Sequence, residues 1–269
     1  MSAFSPARPV RFSAGTGAIR ALAPAAVLGA VVLALWQSVV SLGGIQAYLL
    51  PAPTTIAAAL VSDAPQLLAA AVPTTTAIVS AVVLGGILGV VGAIIITLFE
   101  GVAKVVLSLV AIASCAPIVA LAPIFNAWFG STSLMSKIAV ATVAVAFPVV
   151  VNTTRGLLRV DPLHRELLDS LSGTRGQLLW FVRLPGALPS LFDGLRIGST
   201  MSVIAVIVAE YFGGTAQALG VVIANSAAVS RFDLTWAAVA LASAIGLALY
   251  ALVALVEALV VPWRRALAS

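Results

Sequence analysis

Glu166-Leu-Leu-Asp-Ser-Leu-Ser-Gly-Thr-Arg-Gly-Gln-Leu-Leu-Trp-Phe-Val-Arg-Leu-Pro185 is the stretch on which the fold turns. It is charged, punctuated by glycine and amphipathic, in a chain that is otherwise almost continuous hydrocarbon. A polar loop of this length between two membrane spans faces water, so its apolar residues need a partner other than lipid. The surrounding composition supplies the membrane. Of the 269 residues, 62% are hydrophobic and 9% charged, and the mean hydropathy is +1.17. Soluble domains carry about 25% charged residues, so this is an integral membrane protein. At ~20 apolar residues per span, the length fits a single domain of about six spans, an all-α polytopic membrane bundle. The formal charge of +5 is read as Lys and Arg that orient the spans, with no nucleic-acid partner.

The spans are expected near 22–42, 74–98, 103–127, 134–157, 187–212 and 236–261. Arg8, Arg11 and Arg20 precede an apolar run longer than a secretory h-region, and no small-x-small cleavage site follows it. The first span is therefore read as uncleaved. Between the first two spans, Leu50-Pro-Ala-Pro-Thr-Thr-Ile opens a helix at Pro53, which Pro65 is expected to interrupt. About ten residues are too few to cross, which predicts a surface-lying helix. With the N-terminus inside, Arg8, Arg11, Arg20, Lys104, Arg155, Arg159, Arg165, Arg175, Arg183, Arg196, Arg264 and Arg265 fall on the cytoplasmic side. Only Lys137 and Arg231 fall outside, twelve of the 14 basic residues against two. The bias predicts both termini, the tail 1–20 and the loop 158–186 in the cytoplasm.

Within the spans, Gly85, Gly86, Gly89 and Gly92 permit close helix approach. Pro117 and Pro123 in the third span and Pro148 in the fourth remove backbone bonds that protein or cavity water must replace. Together they favour a bundle enclosing a pathway. In the loop, Asp161-Pro162 starts a helix as N-cap and first-turn proline. Leu163, Leu167, Leu168 and Leu171 then share one face, His164, Arg165, Glu166 and Asp169 occupy the rest, and Gly173 stops the helix. Thr174 caps a second helix that carries Leu178, Leu179 and Val182, which Pro185 is expected to end. An interfacial helix is usually rich in Lys and Arg on its polar face. This one mixes signs, which fits docking of an apolar ridge into a protein groove better.

The spacing resembles the EAA loop of binding-protein-dependent ABC importer permeases, E-A-A-x3-G-x9-I-x-L-P. Aligned on Leu184-Pro185, Glu166 takes the Glu position and Val182 the Ile position. Leu167-Leu168 replaces Ala-Ala. Ser172 stands at the Gly position with Gly173 one residue late, which leaves the turn at Ser172 or displaced by one residue. Leu50-Pro-Ala-Pro-Thr resembles the family's entry after its first span. Pro117-Ile-Val-Ala-Leu-Ala-Pro-Ile-Phe-Asn-Ala-Trp-Phe-Gly130 resembles its third span. Ile207-Val-Ala-Glu-Tyr-Phe-Gly-Gly214 with Leu219-Gly220 resembles the end of its fifth. The similarity covers nearly the whole chain and is closest to the nitrate, sulfonate, taurine and thiamine-precursor branch.

This resemblance implies a type I importer permease in the bacterial inner membrane. It would form a pathway as a homodimer, receive substrate from an extracytoplasmic binding protein, and couple to a cytoplasmic ATPase dimer that holds ATP and Mg. The implied coupling residues are Glu166, Leu167, Leu168, Leu171, Ser172, Gly173, Arg175, Leu184 and Pro185. Candidates for the pathway are Pro117, Pro123, Asn126, Ser199, Ser202 and Glu210. No Gly-x4-Gly-Lys-Ser/Thr loop is present, so ATP hydrolysis is expected on another chain, and no cofactor on this one.

Glu210, near the outer end of the fifth span, is equally a candidate to anchor a loop, since intramembrane carboxylates are costly. Asn126 and Asn152 suit interhelical bonding, and Ser199, Thr200 and Ser202 also suit bonds to their own helix. Trp36, Trp128, Phe129 and Trp263 read as interface aromatics. A secondary transporter would need titratable groups near the midplane, and only Glu210 is a candidate. An intramembrane enzyme would need a base or zinc ligands at depth. The single His164 lies in the loop and the single Cys115 in a hydrophobic run, so no metal site is expected. Ala209-Glu-Tyr-Phe-Gly-Gly and Arg231-Phe-Asp-Leu-Thr-Trp236 are more similar to permeases for pyrimidine thiamine precursors or riboflavin-type heterocycles than to those for sulfonates.

Overall fold

A computed structural model describes residues 16–113, 117–159, 162–215 and 217–266, and the described residues are helical with turns between. In order they form α1 (Thr16–Leu42), α2 (Pro53–Ser62), α3 (Ala64–Leu98), α4 (Glu100–Ala113), α5 (Ile118–Phe129) and α6 (Leu134–Leu158). There follow α7 (Pro162–Ser170), α8 (Arg175–Gln177), a π-helical segment (Leu178–Arg183), α9 (Leu184–Tyr211), α10 (Leu219–Ala228), α11 (Phe232–Val260) and α12 (Trp263–Ala266). Among the described residues, four helical stretches are long and apolar enough to cross a membrane: Ala64–Leu98, Leu134–Leu158, Leu178–Tyr211 and Phe232–Val260. The other two expected crossings correspond to α1 and to the α4–α5 pair.

The bundle is organised around α6, which packs against α3 on one side and α9 on the other. Small residues set these approaches. A Cβ on Gly85 would lie 2.6 Å from Val145 Cβ, and one on Gly89 2.5 Å from Val149 Cγ1, so α3 sits directly on α6. On the α9 side, a Cβ on Gly194 would meet the Pro148 carbonyl at 2.9 Å, and one on Gly198 would meet Val145 at 2.9 Å. Without a hydrophobic drive in lipid, such backbone contact supplies the dispersion energy that holds helices together. Ala77, Ile78, Ala81, Val140, Ala144, Val206 and Ala209 fill the centre. The outer faces of α1 and α3 stay apolar and exposed, as lipid-facing surfaces should be.

Several boundaries differ from the sequence expectation. The third span is not one helix. It is α4 and α5, with Pro117 extended (φ −66°, ψ 112°) as the N-cap of α5. Proline has no N–H to continue α4 and disfavours helical backbone in the residue before it. Pro123, by contrast, is carried inside α5. The short helix does end just ahead of Pro65, at Ser62, and the proline then opens the next one. It occupies the first turn of α3, where its missing N–H is no loss, so α3 starts ten residues ahead of the expected span at 74 and reaches 35 residues. The surface helix α2 has ten residues and lays Ile56 and Ala59 against Leu234, Ala237 and Ala238 of α11. Helix α10, also ten residues, is an element the sequence reading lacked. Asp161 and Cys115 lie outside the described residues.

Candidate functional site: a coupling segment and a clasp at opposite ends of the bundle

At the end where α6 finishes and α9 begins, α7 projects as a nine-residue helix. Leu163, Leu167 and Leu171 are 69%, 58% and 72% exposed, Glu166 is exposed, and Leu168 turns half inward. The helix closes with the Gly173 N–H donating to the Leu168 carbonyl at 2.9 Å, while Ser172 adopts φ +56°. That is the six-to-one closure whose left-handed residue is usually glycine. The turn is therefore not displaced: Ser172 bends the chain at the position where the motif has Gly. Gly173 serves a different need, because a Cβ there would lie 2.5 Å from Leu168 Cγ and 2.9 Å from its carbonyl oxygen. Next, Thr174 N–H donates to Gln177 Oε1 at 2.7 Å and Gln177 N–H to Thr174 Oγ1 at 3.3 Å. This reciprocal capping box starts α8, which Arg175 opens.

Pro185 does not end the second helix. The chain stays helical from Arg175 to Tyr211, passing through the π segment, where the Leu184 N–H donates to the carbonyl of Leu179 five residues back. The wider turn draws the preceding carbonyls out of the four-residue register that the Pro185 ring would strike. Leu178 is buried, and Leu179 and Leu184 pack on Ala93, Leu157 and Ala187, where α3, α6 and α9 meet. Trp180 and Phe181 point outward. The segment is thus a stiff extension of α9, rooted in the bundle and carrying an exposed leucine face. Close by, the buried Glu257 of α11 pairs with Arg196 at 2.5 Å and with Arg264, which also reaches Asp193 at 3.0 Å. These pairs bind α11 and α12 to α9.

The opposite end is built on Glu210, which is 2% exposed. Thr74 Oγ1 lies 2.9 and 3.0 Å from its two carboxylate oxygens, and the Gly220 N–H donates to Oε2 at 2.9 Å. The Leu219 N–H donates to Thr74 Oγ1 at 3.1 Å. Glu210 and Thr74 thus satisfy the opening N–H groups of α10, where a carboxylate also complements the helix dipole. Glycine at 220 is required, since a Cβ would lie 2.5 Å from that of Glu210. Lys137, equally buried, donates to Asn126 Oδ1 at 3.2 Å, to Ser136 Oγ at 3.0 Å and to the Ser131 carbonyl. It faces the field of Glu210 across a cavity of about 100 Å³ lined also by Ser133, Gly214 and Thr215. Lys137, expected from the sequence among the outside charges, thus also faces a buried carboxylate. Nearby, Arg231 pairs with Asp63 at 3.1 Å and joins the α2–α3 corner to the turn before α11.

Of the pathway candidates, Asn126 and Glu210 are brought together through Lys137. Ser199 and Ser202 are fully buried and donate to the Arg196 and Ser199 carbonyls at 2.8 and 2.7 Å. Pro117 and Pro123 lie on exposed positions. Beside them, α4, α5, α6 and α9 enclose a cavity of about 290 Å³ lined by Ile118, Leu121, Phe147, Asn152 and Met201. Thr74 and Gly220, partners of Glu210, were not legible as site residues: they lie 136 and 10 residues from it, and no local pattern links them.

The family model described as "Binding-protein-dependent transport system inner membrane component" matches residues 81–266, more than half of the chain. The chain belongs to that family. It is a permease subunit of the multi-pass inner-membrane type, a non-catalytic transport component working with an ATPase and a substrate-binding protein. The permease is 31% identical over 238 residues to the formylaminopyrimidine transport permease protein ThiX of Halalkalibacterium halodurans, covering 87% of this chain and 93% of the relative. It is 36% identical over 150 residues to the riboflavin transport system permease protein RibX of Chloroflexus aurantiacus, 55% of this chain and 54% of that one. It is 31% identical over 147 residues to the taurine transport system permease protein TauC of Escherichia coli, 55% of this chain and 53% of that one. Among solved structures, that of an amino acid ABC transporter with histidines superposes with a TM-score of 0.59 at 18% identity. It spans 74% of this permease and 95% of that chain, which establishes the common fold.

Proposed function

We propose that this permease forms, as a homodimer, the substrate pathway of an ATP-driven importer for a small heterocycle such as a pyrimidine thiamine precursor or a riboflavin-like compound. The similarity to ThiX over nearly the full length of both chains supports the heterocycle reading. The similarity to TauC covers half of each chain, so sulfonate, taurine or nitrate import by the same machinery is the second reading. Coupling runs through α7 and the π segment. Leu163, Leu167 and Leu171 enter a groove of a cytoplasmic ATPase that holds ATP and Mg. Glu166, Leu168, Ser172, Gly173 and Arg175 shape the docking helix and its turn, and Leu184 and Pro185 join it to α9. Both termini are cytoplasmic, so α10 and the Glu210 clasp face outward. The single observation that carries the coupling reading is an exposed leucine face on a helix rooted, through Leu178, Leu179 and Leu184, where three spans meet. Each ATPase closure then acts on α3, α6 and α9 together. The pathway follows the side of α5 marked by Pro117 and Pro123.

The test of the substrate is calorimetric titration of the cognate binding protein with formylaminopyrimidine, riboflavin, taurine and nitrate. Binding of a heterocycle in the micromolar range or tighter, with taurine and nitrate silent, is the expected result; the reverse order would overturn it. Coupling is tested by ATP hydrolysis of the reconstituted complex with and without loaded binding protein.

A further inference from the structure

We infer that the cavity between α4, α5, α6 and α9 is a selective station on the solute's route, where Asn152 reads a neutral nitrogen heterocycle by a donor and an acceptor side by side on its edge. The inference rests on the heterocycle reading. It adds the place, and the residue, at which the membrane chain itself recognises the solute. The cavity of about 290 Å³ has walls that are mostly hydrocarbon, with Leu121 of α5, Phe147 of α6 and Met201 of α9 among them. Among the described residues that line it, Asn152 is the one polar side chain, and none is charged. A planar ring suits such walls, since it stacks on a Phe face and packs its edge on a thioether sulfur. An anion does not. A sulfonate or nitrate would leave water there with no cation to balance it.

The polar groups of the cavity lie along one face of α6. Ala144, Pro148 and Asn152 follow at four-residue intervals, and all three line it. Pro148 has no N–H to give the Ala144 carbonyl one turn back, so that oxygen lacks its usual helical partner. At Asn152, Nδ2 donates to the Pro148 carbonyl at 2.8 Å. That bond uses one N–H and fixes which end of the amide is nitrogen. The oxygen and the second N–H are what the side chain can offer a solute. A Cβ on Gly194 would lie 3.3 Å from Asn152 Cβ, so α9 backs the residue closely. An amide held in this way accepts from an exocyclic amine and donates to the neighbouring ring nitrogen, the pairing by which Asn reads adenine. The Ala144 carbonyl adds a further acceptor on the same face.

The test separates recognition from coupling. The permease is reconstituted in liposomes with its ATPase and binding protein, and uptake of labelled formylaminopyrimidine is measured beside ATP hydrolysis. Asn152→Leu keeps the size of the side chain and removes the amide. It is expected to lower uptake per ATP hydrolysed by about tenfold, because a buried donor of the solute goes unpaired. Asn152→Gln should restore most of that ratio. Uptake and hydrolysis falling together, with the ratio at the parental value, would make Asn152 a packing residue and overturn the inference. Leu121→Trp leaves Asn152 untouched and fills the cavity from α5, so the same ratio should fall; a parental ratio there would also overturn it. Failure of the cognate binding protein to bind formylaminopyrimidine would instead refute the heterocycle reading, and this inference with it. Binding and parental uptake of the pyrimidine, with both variants at the parental ratio, would refute this inference alone.

Discussion

Gly173→Ala is a small change with a large expected effect on coupling. The new methyl would sit 2.5 Å from Leu168 Cγ and 2.9 Å from both Leu168 Cδ1 and the Leu168 carbonyl oxygen. Leu168 can rotate its side chain, but the carbonyl belongs to the bond that closes α7. Overpacking of this kind costs about 1–3 kcal/mol. The cost falls on α7, because nine residues are too few to hold a helix by themselves. At ~1.4 kcal/mol per tenfold, a 2 kcal/mol loss lowers the population of the docked geometry about thirtyfold. Gly173→Ala is therefore expected to cut stimulated ATP hydrolysis of the reconstituted complex by about tenfold or more, and Gly173→Val to remove it. Membrane insertion should be unaffected, since no span is touched. Gly176→Ala is the control: its nearest neighbour would be Thr174 Oγ1 at 3.9 Å, ordinary contact. If Gly173→Ala turns over as fast as Gly176→Ala, the close approach to Leu168 has no part in coupling.

Four further outcomes are expected. Glu166→Lys should leave insertion intact and abolish substrate-stimulated ATP hydrolysis, read in the same vesicles; preserved stimulation would remove Glu166 from the docking face. Gly89→Leu drives a side chain into Val149, 2.5 Å from where its Cβ falls. It should lower the melting temperature of the detergent-solubilised chain by several degrees, an amount set by about 1–3 kcal/mol of overpacking. Glu257→Ala leaves Arg196 and Arg264 without their shared buried carboxylate, and a thermal scan should show a greater loss than Asp193→Ala, whose side chain is far more exposed. The purified permease alone should hydrolyse no ATP in a phosphate-release assay, because its sequence has no phosphate-cradling loop.

Much of this architecture was legible because hydropathy acts on whole spans. The limits of α6 and the ten-residue surface helix were read within a residue or so, and the turn at Ser172–Gly173 was located although the choice between the two was open. The break at Pro117 is hidden in the sequence, since the flanking residues are as apolar as a span and a hydropathy window averages across them. Pro185 misled for the opposite reason. Proline predicts a stop, but a π turn accommodates the ring without a change of periodicity that a sequence window registers. The clasp was half visible. Glu210 stands out in the sequence as an intramembrane carboxylate, while Lys137 is counted there only among the outside charges, and the partner of Glu210, Thr74, comes from a helix 136 residues away in the chain. Pairings of that separation belong to the packed bundle and leave no local pattern.

The π segment gives the permease a fixed angular phase between motor and pathway. An α-helix advances about 100° per residue, and a π turn accommodates one residue more than the α-helical ladder would. Deleting a single residue within Leu178–Arg183 would let the segment relax into ordinary α-helix and, because the π turn already absorbs that residue, would leave the leucines of α7 close to their present bearing relative to α9. Deleting a single residue from the α-helical turn that follows Leu184 would instead rotate them by about 100° against the rest of α9, with every side chain of the docking face unchanged. Only the second deletion is a phase error: a permease carrying it would keep all its docking residues and still fail to respond to its ATPase, while one shortened inside the π turn would keep its response.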